Sequence, residues 1–274
     1  MKLTTWNVNG MRAALRKGFF RHLELINPDV LLLQEVRAFP EQLPDEVRSP
    51  SGWHVIWNPA VRPGYSGTAI WSRQPMQLRG TRLSVRRPDD EGRLIEVSVC
   101  GLEVVCVYLP SGSSGPARQQ VKDEWLKRFR LWTDRRRSGV PLIFGGDINV
   151  AHTERDIFHA KSNEQTSGFL PHEREWFGKL LKSGWHDLVR EYHGDCDGPY
   201  SWWSNRGRAR ELDRGWRIDH LMCNAAVRPY FRSATIHREA ALDVSDHAPV
   251  TIELDWPDTG GSSAAALVGS ESER

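Results

Sequence analysis

Apolar residues fall along this chain in short runs that stop at polar, chemistry-bearing side chains. Residues 3–6 have the length and content of a strand and end against Asn7. Residues 11–26 carry Leu15, Phe19, His22, Leu23 and Ile26 at helical spacing, and Pro28 predicts where that helix closes. Residues 29–35 form one continuous apolar stretch ending in Glu35, the signature of a central strand covered on both faces. Further strands are predicted over 53–57, 68–71, 94–99, 104–108, 142–144, 218–222 and 249–254, and helices over 118–137 and 172–182. The chain therefore reads as α/β and rich in neighbouring strands.

The polar ends carry the topology. Asn7, Glu35, Tyr108 and Asp147 sit at strand exits, whereas Asp219 and Asp246-His247 sit at strand entrances. If all of them meet at one edge, some strands run antiparallel to others. That predicts mixed sheets packed face to face with helices outside, and argues against a doubly wound parallel sheet. The run Pro141-Leu142-Ile143-Phe144-Gly145-Gly146-Asp147-Ile148-Asn149 is the clearest case, with a carboxylate and an amide two residues apart and hence on one face of a strand. Such a pair suits holding a water, a metal or a phosphate oxygen.

A length of 274 residues is compatible with one large core, because layered folds reach about 200–250 residues as single domains. The expectation is one domain over residues 1–256. The remainder, residues 257–274, has too few apolar groups to offset ordering entropy and is expected to be a disordered tail. No window approaches the ~18 apolar residues that a membrane span needs, and Met1-Lys2 runs straight into a strand, leaving no room for a signal peptide. An intracellular, cytoplasmic protein without a membrane partner is expected. Cys100, Cys106, Cys196 and Cys223 show no metal-type pairing and are expected to be buried, inert thiols. A net charge of +2 is too small to identify a polyanionic partner, so any such case rests on where the charges lie.

Taken singly, a strand-end Asp or Glu caps a turn or faces water. Collectively these residues match what hydrolysing a phosphodiester needs: a hard cation, a base for the attacking water, and donors to the non-bridging oxygens. Glu, Asp and Asn supply the oxygens that Mg²⁺ prefers, with Mn²⁺ a possible substitute, while His, Asn and Tyr supply donors. Neither a compact zinc cluster nor a Walker-type phosphate loop competes.

At these residues the chain resembles the exonuclease III / apurinic-apyrimidinic endonuclease family, from Met1 to Trp256. The matching segments are Trp6-Asn7-Val8-Asn9-Gly10, Leu33-Gln34-Glu35, Gly64-Tyr65-Ser66-Gly67, Tyr108-Leu109-Pro110, Gly146-Asp147-Ile148-Asn149-Val150-Ala151-His152, Gly168-Phe169-Leu170-Pro171 with Glu173-Arg174, Gly215-Trp216-Arg217-Ile218-Asp219 and Ser245-Asp246-His247. The resemblance implies a four-layered α/β sandwich, two mixed, mainly antiparallel sheets flanked by helices. It implies a monomer that cleaves double-stranded DNA 5′ of abasic sites and trims blocked or ordinary 3′ ends, leaving a 3′-hydroxyl and a 5′-phosphate. Glu35 would be the main Mg²⁺ ligand, with Asn7 and Asp246 completing or stabilising the metal environment. Asp147 would orient or deprotonate the attacking water and Asn149 would fix it or bond the phosphate. His247 would contact the phosphate while Asp219 holds its ring, and Tyr108 would donate to the phosphate or its leaving oxygen.

Twelve tryptophans mostly serve packing, but the same resemblance makes Trp202, Trp216 and Ile218 the lining of a pocket for an extruded base-less sugar. Asn9, Lys161, Asn163 and Arg206 would meet the DNA. The stretch Asn205, Arg206, Arg208, Arg210 and Arg214 is either a solvated hairpin loop or a phosphate-tracking one. Arg135-Arg136-Arg137 closes a helix, complements its dipole, and reads as structural. Three segments depart from the family: Ser111-Gly112-Ser113-Ser114-Gly115 replaces larger amide or basic residues, His159 and Ser162 are unexpected beside Lys161 and Asn163, and Pro63 replaces a basic residue. These departures leave the chemistry intact and bear on the balance of activities. Two other readings stay open: a catalytically silent nucleic-acid-binding regulator on this fold, similar to the catabolite repression control proteins, and a phosphoesterase of the wider superfamily acting on phosphoinositides or sphingolipids. The intact set Glu35, Asp147, Asn149, Asp219, Asp246 and His247 weighs against the first, and the segments 216–219 and 169–171 against the second.

Overall fold

The continuous run Val30-Leu31-Leu32-Leu33 is apolar at every position because both of its faces are covered. In the computed structural model of the chain, which describes residues 1–83 and 89–257, Val30 and Leu32 point into a core shared with a second sheet. Leu31 and Leu33 point the other way, onto Phe19 and Leu23 of an outer helix. Each such side chain contributes about 1.5–3 kcal/mol on burial. The elements in order are β1 (Lys2–Asn7), α1 (Met11–Arg16), α2 (Phe19–Ile26), β2 (Val30–Gln34), α3 (Asp45–Arg48), β3 (His54–Asn58), β4 (Thr68–Ser72), β5 (Met76–Gly80), β6 (Leu94–Val99) and β7 (Leu102–Tyr108). They continue with α4 (Pro116–Arg136), β8 (Leu142–Asp147), α5 (Pro171–Lys182), β9 (His186–Asp187), α6 (Leu188–His193), β10 (Asp219–Cys223), β11 (Phe231–Ile236), α7 (Arg238–Asp243) and β12 (Val250–Leu254).

The strands form two six-stranded sheets, ordered β11-β12-β1-β2-β4-β3 and β5-β6-β7-β8-β10-β9. Only β1 with β2 and β7 with β8 pair in parallel; the other pairs are antiparallel. Leu3, Val30, Leu32 and Ile70 of one sheet meet Ile95, Val97, Val104, Cys106 and Ile143 of the other. Outside the second sheet, Val105, Val107 and Phe144 pack under Leu126 and Phe129 of α4 and Trp176 and Phe177 of α5. The expected helix–sheet–sheet–helix sandwich is thus present.

Three expectations need correction. The helix foreseen over 11–26 is two helices, because Gly18 adopts a left-handed φ of 96° that turns the chain. Its end is set by left-handed Asn27, whose N–H donates to Leu23 O, one residue before Pro28 could act. Cys106 and Cys223 are buried as expected, but Cys100 is only half-buried and Cys196 is exposed. Among the described residues, no helix is long and apolar enough to cross a membrane. The tail expected to be disordered lies outside the described residues from position 258 onward.

Candidate active site

The two parallel pairs and their antiparallel neighbours bring the polar strand ends to one edge. In register, Tyr108 and Asp219 both pair with Asp147, from opposite sides. Asn7, the last residue of β1, closes the gap between sheets: its Nδ2 donates to Glu35 Oε1 at 3.0 Å and to Asp147 Oδ2 at 2.9 Å. Tyr108 Oη donates to the same Glu35 oxygen at 2.7 Å, and Arg37 forms an ion pair with the other. Glu35 has a positive φ of 53°, which ends β2 and turns its carboxylate toward the sheet edge.

The second half of the cluster is ionic. His247 Nδ1–H donates to Asp219 Oδ2 at 2.9 Å, and its Nε2 lies 3.9 Å from Asp147 Oδ2. Ser201 Oγ donates to Asp219 at 2.7 Å and accepts the N–H groups of Ile218 and Asp219. Burial opposes a charge on His247, but Asp219, then Asp147 and Asp246, outweigh it and lift the ring to about 10. Burial, reinforced by Asp219 and Glu35 against the pull of His247, raises Asp147 to about 7. Burial and Glu35 push Tyr108 far above its ordinary range, so its hydroxyl keeps its proton. Asp246 stays below the usual range despite burial, because His247, Asn9 and Trp202 favour its charged form. Asn9 Nδ2 donates to its Oδ1 at 2.7 Å and Trp202 Nε1 to its Oδ2 at 3.2 Å.

Four carboxylates, Glu35, Asp147, Asp219 and Asp246, thus face two cations, His247 and Arg37. That surplus of hard oxygen donors fits a divalent cation. Asp147, Asp219 and His247 place ligand-capable atoms within 4.8 Å of one another. A protonated His247 has no lone pair to give, so the oxygens are the fitting ligands.

Above these groups lies a cavity of about 340 Å³, lined by Asn9, Glu35, Tyr108, Asp147, Asn149, Trp202, Trp216, Ile218, Asp246 and His247. Trp202 and Trp216 meet edge to face at 5.9 Å, their backbones bridged. Asn149 reaches the cavity differently than expected. The strand ends at Asp147, and Asn149 takes a left-handed φ of 55°, its N–H donating to Asp147 Oδ1 at 3.0 Å. A turn, not strand alternation, puts the two side chains together.

Lys161 and Arg206 are exposed, Asn163 is half-buried, and all three lie outside this lining. Asn163 Nδ2 donates to His159 O at 2.8 Å and caps its own turn. In the basic stretch, Arg208 pairs with Glu211, Arg210 donates to the carbonyls of Ala241 and Ser245, and Arg214 lies over the Phe158 ring, so most of its charge is committed within the protein. Ser111 and Ser113 line the site from the segment singled out as a departure from the family, whereas Arg37, Ser201, Thr166 and Ser167 belong to it without having been foreseen. Of these, only Arg37, two residues past Glu35, and Ser201, beside Trp202, left a positional signal in the sequence.

The chain belongs to the Endonuclease/Exonuclease/phosphatase family, which it matches over residues 4–247. Within that family it is a hydrolytic nuclease of the exodeoxyribonuclease and AP endonuclease group. It is 38% identical to the exodeoxyribonuclease of Bacillus subtilis over 93% of its own length and all of the relative's. It is 34% identical to the DNA repair nuclease APEX1 of Danio rerio, over 93% of this chain and 82% of that one. The structure of a 3′-5′ exonuclease from Neisseria meningitidis superposes with a TM-score of 0.85 at 30% identity, covering 93% of this chain and all of that one.

Proposed function

We propose that this nuclease uses Mg²⁺, or Mn²⁺ in its place, to hydrolyse the phosphodiester 5′ to abasic sites in duplex DNA. It would also trim blocked or ordinary 3′ ends, leaving a 3′-hydroxyl after each cut. The observation that carries this reading is Asp147, buried beside the charged His247–Asp219 pair at the mouth of a cavity walled by Trp202, Trp216 and Ile218. With its affinity for a proton raised toward 7, the Asp147 carboxylate is suited to take one from an attacking water. His247 presents a fixed positive charge to a phosphate, and Asp219 stabilises that charge and holds the ring in orientation. Asn149 supplies an uncharged donor, and the protonated Tyr108 would supply another by turning its hydroxyl from Glu35 to the phosphate.

Glu35 would hold the metal with support from Asp246. The metal, when bound, supplies charge neutralisation at the phosphate. Asn7 supports the site by orienting Glu35, since its nitrogen is spent on Glu35 and Asp147 and its Oδ1 accepts Asn9 N–H at 3.0 Å. A base-less sugar enters the aromatic cavity by leaving the duplex, which is cheapest where no base pair must be broken. Asn9, Lys161, Asn163 and Arg206 form the outer contacts to DNA. Residues 1–256 act as one domain, and the protein works as a cytoplasmic monomer on DNA.

The test is cleavage of three duplexes by the purified chain: one with a single abasic analogue, one with a recessed 3′ end, and one with a 3′-phosphate. Cleavage of the first with 3′-end trimming of the others, abolished by chelator and restored by Mg²⁺ or Mn²⁺, is the expected result. Binding without cleavage would return the silent regulator, and full activity in chelator would overturn the metal assignment.

A further inference from the structure

Lysine on a long helix ordinarily keeps its ammonium in water, yet Lys122 of α4 has no exposed side-chain surface, and neither has its partner Glu173 of α5. All three Nζ protons are used: on Glu173 Oε1 at 2.5 Å, on Asn149 O at 2.8 Å and on Ser167 Oγ at 3.4 Å. Glu173 is equally committed. Its Oε2 accepts the N–H groups of Gly168 at 2.6 Å and Leu170 at 3.1 Å, and its Oε1 also accepts Gln119 Nε2 at 3.0 Å. Between these anchors, Ala151 N–H donates to Gly168 O at 2.8 Å. Gly168 itself has a φ of +97°, and an added Cβ would sit 3.1 Å from the Trp216 ring and 3.2 Å from Asn149 O.

A buried ion pair is a poor source of net stability compared with apolar residues of the same volume. What it supplies better is direction, because each proton and lone pair demands a partner in a fixed place. Here those partners are the main chain of the loop bearing Asn149 and the main chain of the loop that abuts Trp216. We infer that the Lys122–Glu173 pair is a positioning device that locks the Asn149 loop to the Gly168 loop, setting the separation between the Asn149 amide and the Trp216 wall. Its consequence for rate rests on the nuclease reading above; the locking of the two loops rests on geometry alone.

The test uses the full chain carrying Lys122→Met and Glu173→Gln together, which removes both charges at nearly constant volume so that neither is stranded. Amide hydrogen exchange at Ala151 and Gly168 is expected to accelerate about tenfold or more, while Ile143 and Gly145 in β8 keep their protection. On a substrate that the unaltered chain cleaves, kcat is expected to fall about 10- to 100-fold, as for a displaced positioning group, with KM changed less than threefold. Unchanged exchange at Ala151 and Gly168 would overturn the locking, whether or not the chain cleaves DNA. Faster exchange with unchanged kcat would overturn the link to rate. If the double variant does not fold, Glu173→Gln alone is read by exchange at Gly168. Absence of cleavage by the unaltered chain would count against the nuclease reading, leaving exchange to decide the locking.

Discussion

Arg217 and Asp219 stand two residues apart yet belong to two buried ionic clusters built by opposite rules. Around Arg217 the charges balance. Its Nε donates to Asp156 Oδ1 at 2.7 Å and its Nη1 to Asp187 Oδ2 at 2.9 Å, while Arg190 supplies a second guanidinium to Asp156 at 2.5 Å. His220 accepts from Arg217 at Nδ1 and donates from Nε2 to Val150 O at 2.8 Å, a consistent neutral tautomer. Around Asp219 the acids outnumber the cations. The proton affinities follow: against burial, Arg217 and Arg190 hold Asp156 well below the carboxylate range, and Arg217 does the same for Asp187. Asp147 moves the other way, to about 7. Burial is common to both clusters, so balance decides. A balanced cluster fixes backbone, and an acid-rich one keeps a carboxylate near the point of accepting a proton.

Removing the hub of the balanced cluster should have the largest effect on stability. Arg217→Met leaves Asp187 with no guanidinium and Asp156 with Arg190 alone, and is expected to cost about 3–5 kcal/mol, read as a lower denaturation midpoint. The pH dependence sharpens this. Because Asp156 and Asp187 have depressed proton affinities in the folded chain, their contribution is complete above the ordinary carboxylate value and is lost as pH falls below it. In Arg217→Met the under-paired acids are relieved by protonation instead. The gap between variant and unaltered chain should therefore narrow as pH is lowered from 7 toward 4. A gap constant with pH would mean that the cluster contributes through shape and not through charge.

The acid-rich cluster should respond in the opposite way. Asp147→Asn removes a buried carboxylate repelled by Asp219 and Glu35, so folding stability should hold, while DNA cleavage falls by at least the ~10²–10³ typical of losing one preorganised catalytic group. Thermal denaturation and cleavage of an abasic duplex, measured on the same preparation, separate the two effects. Turnover close to that of the unaltered chain would refute the proposed role of Asp147.

The sequence exposes these two clusters unequally. Glu35, Asp147, Asp219 and His247 could be found because each interrupts an apolar run at a strand end, and because mixed strand directions were enough to gather them. Arg217, Asp156 and Lys122 gave no such signal as charges: an Arg or Lys in a polar segment reads as solvated, and only contacts across 61 and 27 residues bury the guanidinium and the ammonium. The missed strands have a related cause. β5 exposes Gln77, Leu78 and Arg79 on a sheet edge, and β11 mixes Arg, Ser and Thr into its run, so neither shows a clean apolar alternation. Left-handed turns at Glu35 and Asn149 were invisible for another reason. They depend on Tyr108, Leu109 and Lys122 holding side chains and carbonyls from outside the local segment.

The smallest expected effect, and the most selective, lies at the cavity wall next to Arg217. Trp216 holds its place by backbone pairing with Trp202, through N–H to carbonyl bonds of 2.8 Å in each direction, which Trp216→Ala leaves intact. The side chain contributes the edge-on contact with Trp202 and the face against Gly168. Its removal should enlarge the cavity and weaken capture of a base-less sugar, while Asp147, Glu35 and His247 remain in place. Abasic-site cleavage is expected to fall by about 10- to 100-fold, the range of one lost aromatic contact of 1–3 kcal/mol. Trimming of an undamaged 3′ end should change much less. Phosphate contacts survive, so the slope of DNA binding against salt should stay nearly the same. Cleavage of abasic and undamaged duplex by both proteins, at matched Mg²⁺ and salt, is the measurement. An equal fall in the two activities would make Trp216 part of the frame held by Arg217, and no longer a wall that selects the substrate.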